Sequence, residues 1–230
     1  MRRSQGGGED VSAGRVNLMI LQLFRSSSPG PNIRDLYGAI VAQARKPAFY
    51  RSYGVPDTVE GRFDLLVLHL VLVLGQSGPP AGQDGRQEDG RQADGTRRAI
   101  GQKLFDAFCR DLDDNLREMG VGDLAVPKRM RGFAEAFYGR QAAYLAALAS
   151  PEPRELENAL ARNIFSEAKA GHEPCEPVQA GAVRLAAYVR AAFSQFEARD
   201  QFASELWRGQ VIFPEPEAVP VPTTEAVQNG

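Results

Sequence analysis

Ten of the twelve positions from Phe63 to Leu74 are apolar, broken only by Asp64 and His69. A run that is apolar on nearly every side suits a helix sealed inside a bundle, whereas a bilayer span needs about 18 to 20 such residues. The turn Gly54-Val55-Pro56 precedes it, and Asp57 with Glu60 three residues later has the form of a capping box, so the pattern predicts a helix over 58–74. Upstream, Asn32 as N-cap and Leu36, Ile40, Val41 and Ala44 at helical spacing predict a helix over 33–46, stopped by Pro47.

Downstream the same 3.6-residue rhythm continues. Leu104, Phe105, Phe108, Cys109, Leu112, Leu116 and Met119 form one stripe of a helix over 100–119, and Gly120 ends it as a C′ glycine. After the corner VGDLAV, Pro127 opens a helix carrying Met130, Phe133, Ala134, Phe137, Tyr138, Tyr144 and Leu148; Gly139 in its middle implies close packing against another backbone. A further helix over about 153–169 shows Leu156, Leu160, Ile164 and Phe165. A last one starts near Val178, shows Leu185, Val189, Ala192, Phe193 and Phe196, and runs toward Trp207. No strand alternation of useful length occurs, so the expected class is all-α, a bundle-like domain of five to seven helices over 31–214.

Three polar stretches fall outside that rhythm. Residues 1–30 read as a flexible N-terminal extension, within which Met19 offers an alternative start. Residues 75–98 hold six glycines, the near-repeat DGRQ and no large apolar residue, which predicts a disordered insert because no burial would offset the ordering entropy. Residues 215–230 read as a disordered Pro/Glu-rich tail.

Charge and cysteine content narrow the function classes. The 27 basic and 29 acidic residues leave a net charge of −2, against the basic field of a nucleic-acid binder. Cys109 and Cys175 are too few and too far apart for a disulfide framework, which fits a reducing compartment. The nine-residue segment VNLMILQLF follows Glu9 and Asp10 and lacks a cleavage site, so neither a signal peptide nor a span is expected; whether it touches a membrane surface stays open. Only four of the basic residues are Lys, a usage that fits a bacterial coding sequence.

Chemistry-bearing residues are sparse. His69 reads first as a core-edge histidine bonded to a backbone carbonyl or an acid, with haem ligation as the alternative. His172 and Cys175 lack the further ligands that a zinc site requires, and no acid precedes a histidine by three residues as in a carboxylate-bridged metal helix. No G-x-S-x-G, Walker or G-x-G-x-x-G motif is present, so no catalytic residue, cofactor or metal is expected. Lys128, Arg129 and Arg131 after GVGDLAVP give a superficial helix-turn-helix, opposed by the apolar stripe of the same helix and by the net charge.

Three stretches, FYRSYGVPDTVEGRFDLLVLHL, LFDAFCRDLDDNLREMGVGDLAVPKRMRGFAEAFYGRQAAY and the terminal GQVIFP, resemble in order the ubiquinol-cytochrome c chaperone family, over about 33–214 without the insert. The resemblance implies a non-enzymatic all-α chaperone that engages newly made cytochrome b and assists its assembly into respiratory complex III. It places the protein in the cytoplasm at the inner face of the membrane, or on the matrix side in a eukaryote. Mitochondrial members work with a small partner protein and at the ribosome. Candidate contacts with client or partner are Tyr50, Gly54, Val55, Asp57, Arg62, Asp64, Arg117, Gly120, Asp123, Tyr138 and Arg140. The charged members read either as a polar rim or as an internal network in which Arg117 and Arg140 pair with Asp64 or Asp123. Phe49, Tyr50, Tyr53, Tyr138 and Phe213, at element ends, read first as core residues when taken singly, with exposure to a client as the alternative.

Overall fold

The computed structural model describes residues 31–75, 88–165 and 176–220. They form α1 Ile33–Ala44, α2 Pro47–Arg51, α3 Val59–Gly75, α4 Glu88–Glu118, α5 Val126–Ala149, α6 Pro153–Ile164, α7 Glu176–Glu197 and α8 Phe202–Trp207, then a short 3-10 turn, Pro216–Ala218. No strand occurs among them, so the chain is all-α, with six helices of twelve residues or more and two short ones.

The long apolar run is the axis of this arrangement. Leu65, Val67, Leu68, Leu70, Val71, Leu72 and Val73 are each at most 1 % exposed, and α3 touches α1, α5, α6 and α7 around its circumference. Each such side chain stabilises the fold by roughly 1.5–3 kcal/mol, which is why a helix that also carries Glu60, Arg62, Asp64 and His69 can hold the centre. Beside it, α4 and α5 form an antiparallel hairpin, with Phe105 of α4 set against Phe137 and Tyr138 of α5. The corner of that hairpin is closed by backbone bonds: Gly120 N–H donates to Arg117 and Val121 N–H to Leu116, with Gly120 at φ 77°. Only glycine takes that left-handed angle without a Cβ penalty, so the C′ assignment holds.

The core is completed from the far end of the chain. Phe202 of α8 stacks on Phe196 of α7 at 4.8 Å, Phe213 lies buried against Phe196 and His69, and Asn32 N–H donates to the Trp207 carbonyl. Asn32 also caps α1, its side chain accepting from Asp35 N–H at 3.3 Å.

Several expectations need correction. α4 begins at Glu88, not near residue 100, so the second half of the 75–98 stretch is helical. Ile100, Leu104 and Phe108 anchor the helix in the core, and extending an existing helix through Arg, Gln, Glu and Ala avoids a new nucleation cost. At the start of α3 the cap is Thr58, whose Oγ1 accepts from Gly61 N–H at 3.1 Å, while Asp57 turns outward to Arg62. Gly139 has open space where a Cβ would stand; a Cβ would instead meet backbone at Gly61, against the Pro56 carbonyl, at Gly181, against Tyr53, and at Gly209, against Asn32. The first predicted helix is α1, but Pro47 does more than end it and also opens the short α2, because proline starts a helix as readily as it ends one. The last predicted helix is likewise interrupted after Glu197. The chain stays anchored beyond 214: Tyr53 donates its hydroxyl to the Pro216 carbonyl at 2.6 Å, Lys46 pairs with Glu215, and Pro216 is buried. The N-terminal extension, His172, Cys175 and the last ten residues lie outside the described residues.

Candidate functional site

The α4–α5 hairpin lies beside the N-terminal half of α3, and their shared edge carries a row of half-buried aromatic rings. Phe63 of α3 stands 5.1 Å from Phe133 of α5 and 6.2 Å from Phe108 of α4. Phe105, on the next turn of α4, reaches Phe137 at 5.0 Å and Tyr138 at 5.5 Å. Phe108 and Phe137 are sealed, Phe63, Phe105 and Phe133 are half-buried, and Tyr138 is 55 % exposed. Val59, one turn before Phe63 and on the same face of α3, is 75 % exposed. The result is an apolar, mostly aromatic surface on rigid helices.

Beneath it runs the ion pair that the sequence left as one of two pairings. Arg140 Nη2 donates to Asp64 Oδ1 at 2.5 Å, tying α5 to α3, and the Arg140 guanidinium lies 5.8 Å from the centre of the Phe63 ring. Asp64 is 1 % exposed, and a carboxylate that deep needs a partner, which Arg140 supplies. Arg140 therefore does two jobs: it neutralises Asp64 and holds Phe63 at the surface through its π face.

The remaining candidates lie in two other places. At the α2–α3 turn, Asp57 bonds Arg62 at 2.7 Å in full solvent, and that bond holds the Asp57 carboxyl below its usual range. Tyr50 lies close enough to feel both charges, though burial dominates in pushing its phenol upward, and its hydroxyl donates to the Ala44 carbonyl. Gly54, at φ 71°, is exposed, while Val55 is buried and gives its N–H to Phe49. At the hairpin corner, Arg117 bridges Asp113 at 2.7 Å and Asp123 at 2.5 Å, bracing the turn around Gly120. Val55 and Asp64 are thus internal, and Arg117 and Gly120 shape the corner.

Of the element-end aromatics that read as core or as client surface, Phe49, Tyr53 and Phe213 are core, at 0 %, 6 % and 7 % exposed, and Tyr138 is at the surface. They pack as a ring cluster around His69, with Phe49 and Phe213 at 5.3 and 5.1 Å from the imidazole. Sequence periodicity missed the exposed row, because Phe105 and Phe133 share a helical stripe with true core residues. The available signal was their place at the margin of that stripe.

His69 is fully buried and both its ring nitrogens are engaged, Nδ1 with the Leu65 carbonyl at 2.7 Å and Nε2 with the Tyr188 hydroxyl at 3.0 Å. Gln43 Nε2 donates to the same Tyr188 oxygen at 3.0 Å. One tautomer satisfies every group: Nδ1–H donates to Leu65, Tyr188 O–H donates to Nε2, and Tyr188 accepts from Gln43. Burial takes the His69 pKa down to about 4, so the ring is neutral at neutral pH. No ring nitrogen is left for iron, and the haem alternative has no geometric basis. Among the described residues no group of three or more metal-binding side chains gathers, and no helix is long and apolar enough to cross a membrane.

Comparison with known proteins places this fold. No curated protein matches the chain. The solved structure of the Cbp3 homolog from Brucella abortus is 35 % identical, with a TM-score of 0.66, and the match covers 88 % of this chain and 100 % of that one. The model of the ubiquinol-cytochrome c chaperone family matches residues 51–212, well over half of the sequence and every helix from α3 to α8. On that match the chain belongs to the ubiquinol-cytochrome c chaperone family.

Proposed function

We propose that this protein assists assembly of ubiquinol-cytochrome c reductase, respiratory complex III, by holding newly made cytochrome b against the aromatic edge of α3, α4 and α5, at the cytoplasmic face of the membrane. The observation that carries the reading is the family match over residues 51–212, which contains every residue of that edge. The chemistry suits an apolar client. Rigid rings at Phe63, Phe105, Phe133 and Tyr138 offer contact area at little entropic cost, and Val59 widens the surface. Asp57, Arg62 and Arg140 supply a polar margin. Binding and release of a nascent subunit need no turnover chemistry.

Deletion of the gene tests the function, read by reduced-minus-oxidised spectra of membranes and by ubiquinol:cytochrome c reductase activity. Loss of the b-type signal, restored by the wild-type gene, is expected; normal complex III in the deletion strain sinks the reading. A photo-crosslinking residue at Tyr138 tests the surface and should capture cytochrome b, whereas the same residue at exposed Gly38, on α1, should not.

A further inference from the structure

The corner between α4 and α5 carries a second surface that client binding does not use. Leu124 is 99 % exposed and Met119 is 65 % exposed, the two barest large apolar side chains apart from Val59 among the described residues. Directly after them, Lys128, Arg129 and Arg131 stand exposed on the first turns of α5. None of the three makes an ion pair or a side-chain hydrogen bond among the described residues, whereas Arg117 on the same corner is held by Asp113 and Asp123. Nothing among the described residues accounts for this arrangement. The first turn of α5 has no acidic residue and its N-cap, Ala125, makes no side-chain bond, so three cations sit beside the positive end of a helix. The next acid along α5 is Glu135, a full turn beyond Arg131.

We propose that this corner docks on an anionic lipid surface, with Leu124 and Met119 entering the headgroup region and Lys128, Arg129 and Arg131 meeting lipid phosphates. Charge complementarity selects an anionic partner, and the apolar tips select lipid among anionic partners. Single-stranded RNA is gripped by stacking on aromatic rings, and residues 117–131 contain none. Each apolar tip follows an acid, Glu118 or Asp123, but Asp123 is held by Arg117 and the three cations outnumber both. Aliphatic tips beside such a cation cluster have the composition of an interfacial membrane contact. The braced turn, with Arg117 fixed on Asp113 and Asp123 and Gly120 in its left-handed angle, presents Met119 and Leu124 without local collapse.

The test is co-sedimentation of the full chain with vesicles of phosphatidylcholine alone and with vesicles half phosphatidylglycerol. Binding to the anionic vesicles only, weakening as salt is raised, is expected. K128Q/R129Q/R131Q should lose roughly 100-fold in vesicle affinity and Leu124→Ser roughly 10-fold. These side chains are exposed, so both variants should melt with the wild type. Equal retention by neutral vesicles, or wild-type binding by the triple variant, overturns the proposal; the latter assigns the contact to another segment such as VNLMILQLF. Capture of homopolymer RNA through Lys128, Arg129 and Arg131 without vesicle binding overturns it in favour of a nucleic-acid surface. The vesicles contain no client, so either failure leaves the complex III reading standing.

Discussion

Asp64 and His69 lie five residues apart on α3, both buried to within 1 % of completely, and the protein handles them in opposite ways. His69 faces the axis of the bundle, where both groups bonded to it are neutral, and burial together with the positive charge of Lys46 keeps the ring neutral as well. Asp64 faces the edge shared with α5, where a long arginine can reach it from solvent, and it is paired as a charge. Distance from the surface decides which solution is open. A charge at the position of His69 would find no partner, whereas at Asp64 the guanidinium is 15 % exposed and keeps part of its hydration. The Asp64 solution also leaves loose ends: Arg140 Nε is buried without a hydrogen-bond partner among the described residues. The sealed site is organised for stability, and the edge site carries strain beneath the surface proposed for the client.

The sharpest way to break this contrast is Arg140→Met, which takes the paired guanidinium away from Asp64. It should cost about 3–5 kcal/mol in urea unfolding, and adding Asp64→Leu should recover most of that loss. A repulsive result in the double variant would mean that Arg140 acts through Phe63 and not through Asp64. The next effect is in pH. The His69 pKa is near 6.5 in the unfolded chain and about 4 in the folded one, so between these values the unfolded state binds more protons. Stability should therefore fall as pH drops from about 6.5 to about 4, by roughly 3 kcal/mol, and His69→Leu should flatten that slope. Smaller again, Tyr188→Phe strips the shared hydroxyl from His69 and Gln43 and should cost about 1–3 kcal/mol at pH 7. Smallest of all, Arg62→Ala and Arg117→Ala, whose ion pairs stand in open solvent, should leave the unfolding midpoint within measurement scatter.

Most of the helices were legible because apolar spacing on α3, α4, α5 and α7 reports burial directly, and so was the C′ role of Gly120, which local geometry alone determines. The start of α4 was not. Its first turns contain no large apolar residue to signal a buried face, and their helicity is inherited from Ile100 and Leu104 further along. Capping misled at Asp57 for a related reason: Asp57 and Thr58 are both good caps, and Arg62, five residues on from Asp57, drew the carboxylate away. The candidate site was legible as a set of residues but not as a place. The pairing of Arg140 with Asp64 spans 76 positions, and nothing local says which of Phe49, Phe63, Phe105 or Phe213 faces water. That choice is made by the packing of helices that meet only in three dimensions.

The closing bonds around the core span almost the entire domain: Gln43 to Tyr188 across 145 residues, Tyr53 to Pro216 across 163 and Gln43 to Pro214 across 171. During synthesis, then, α1, α2 and α3 wait with their aromatic cluster uncovered until the segment from Phe213 to Pro216 leaves the ribosome. A protein of a chaperone family thereby spends most of its own translation as an exposed, apolar nascent chain, and truncation just before Phe213 should leave it in that state permanently.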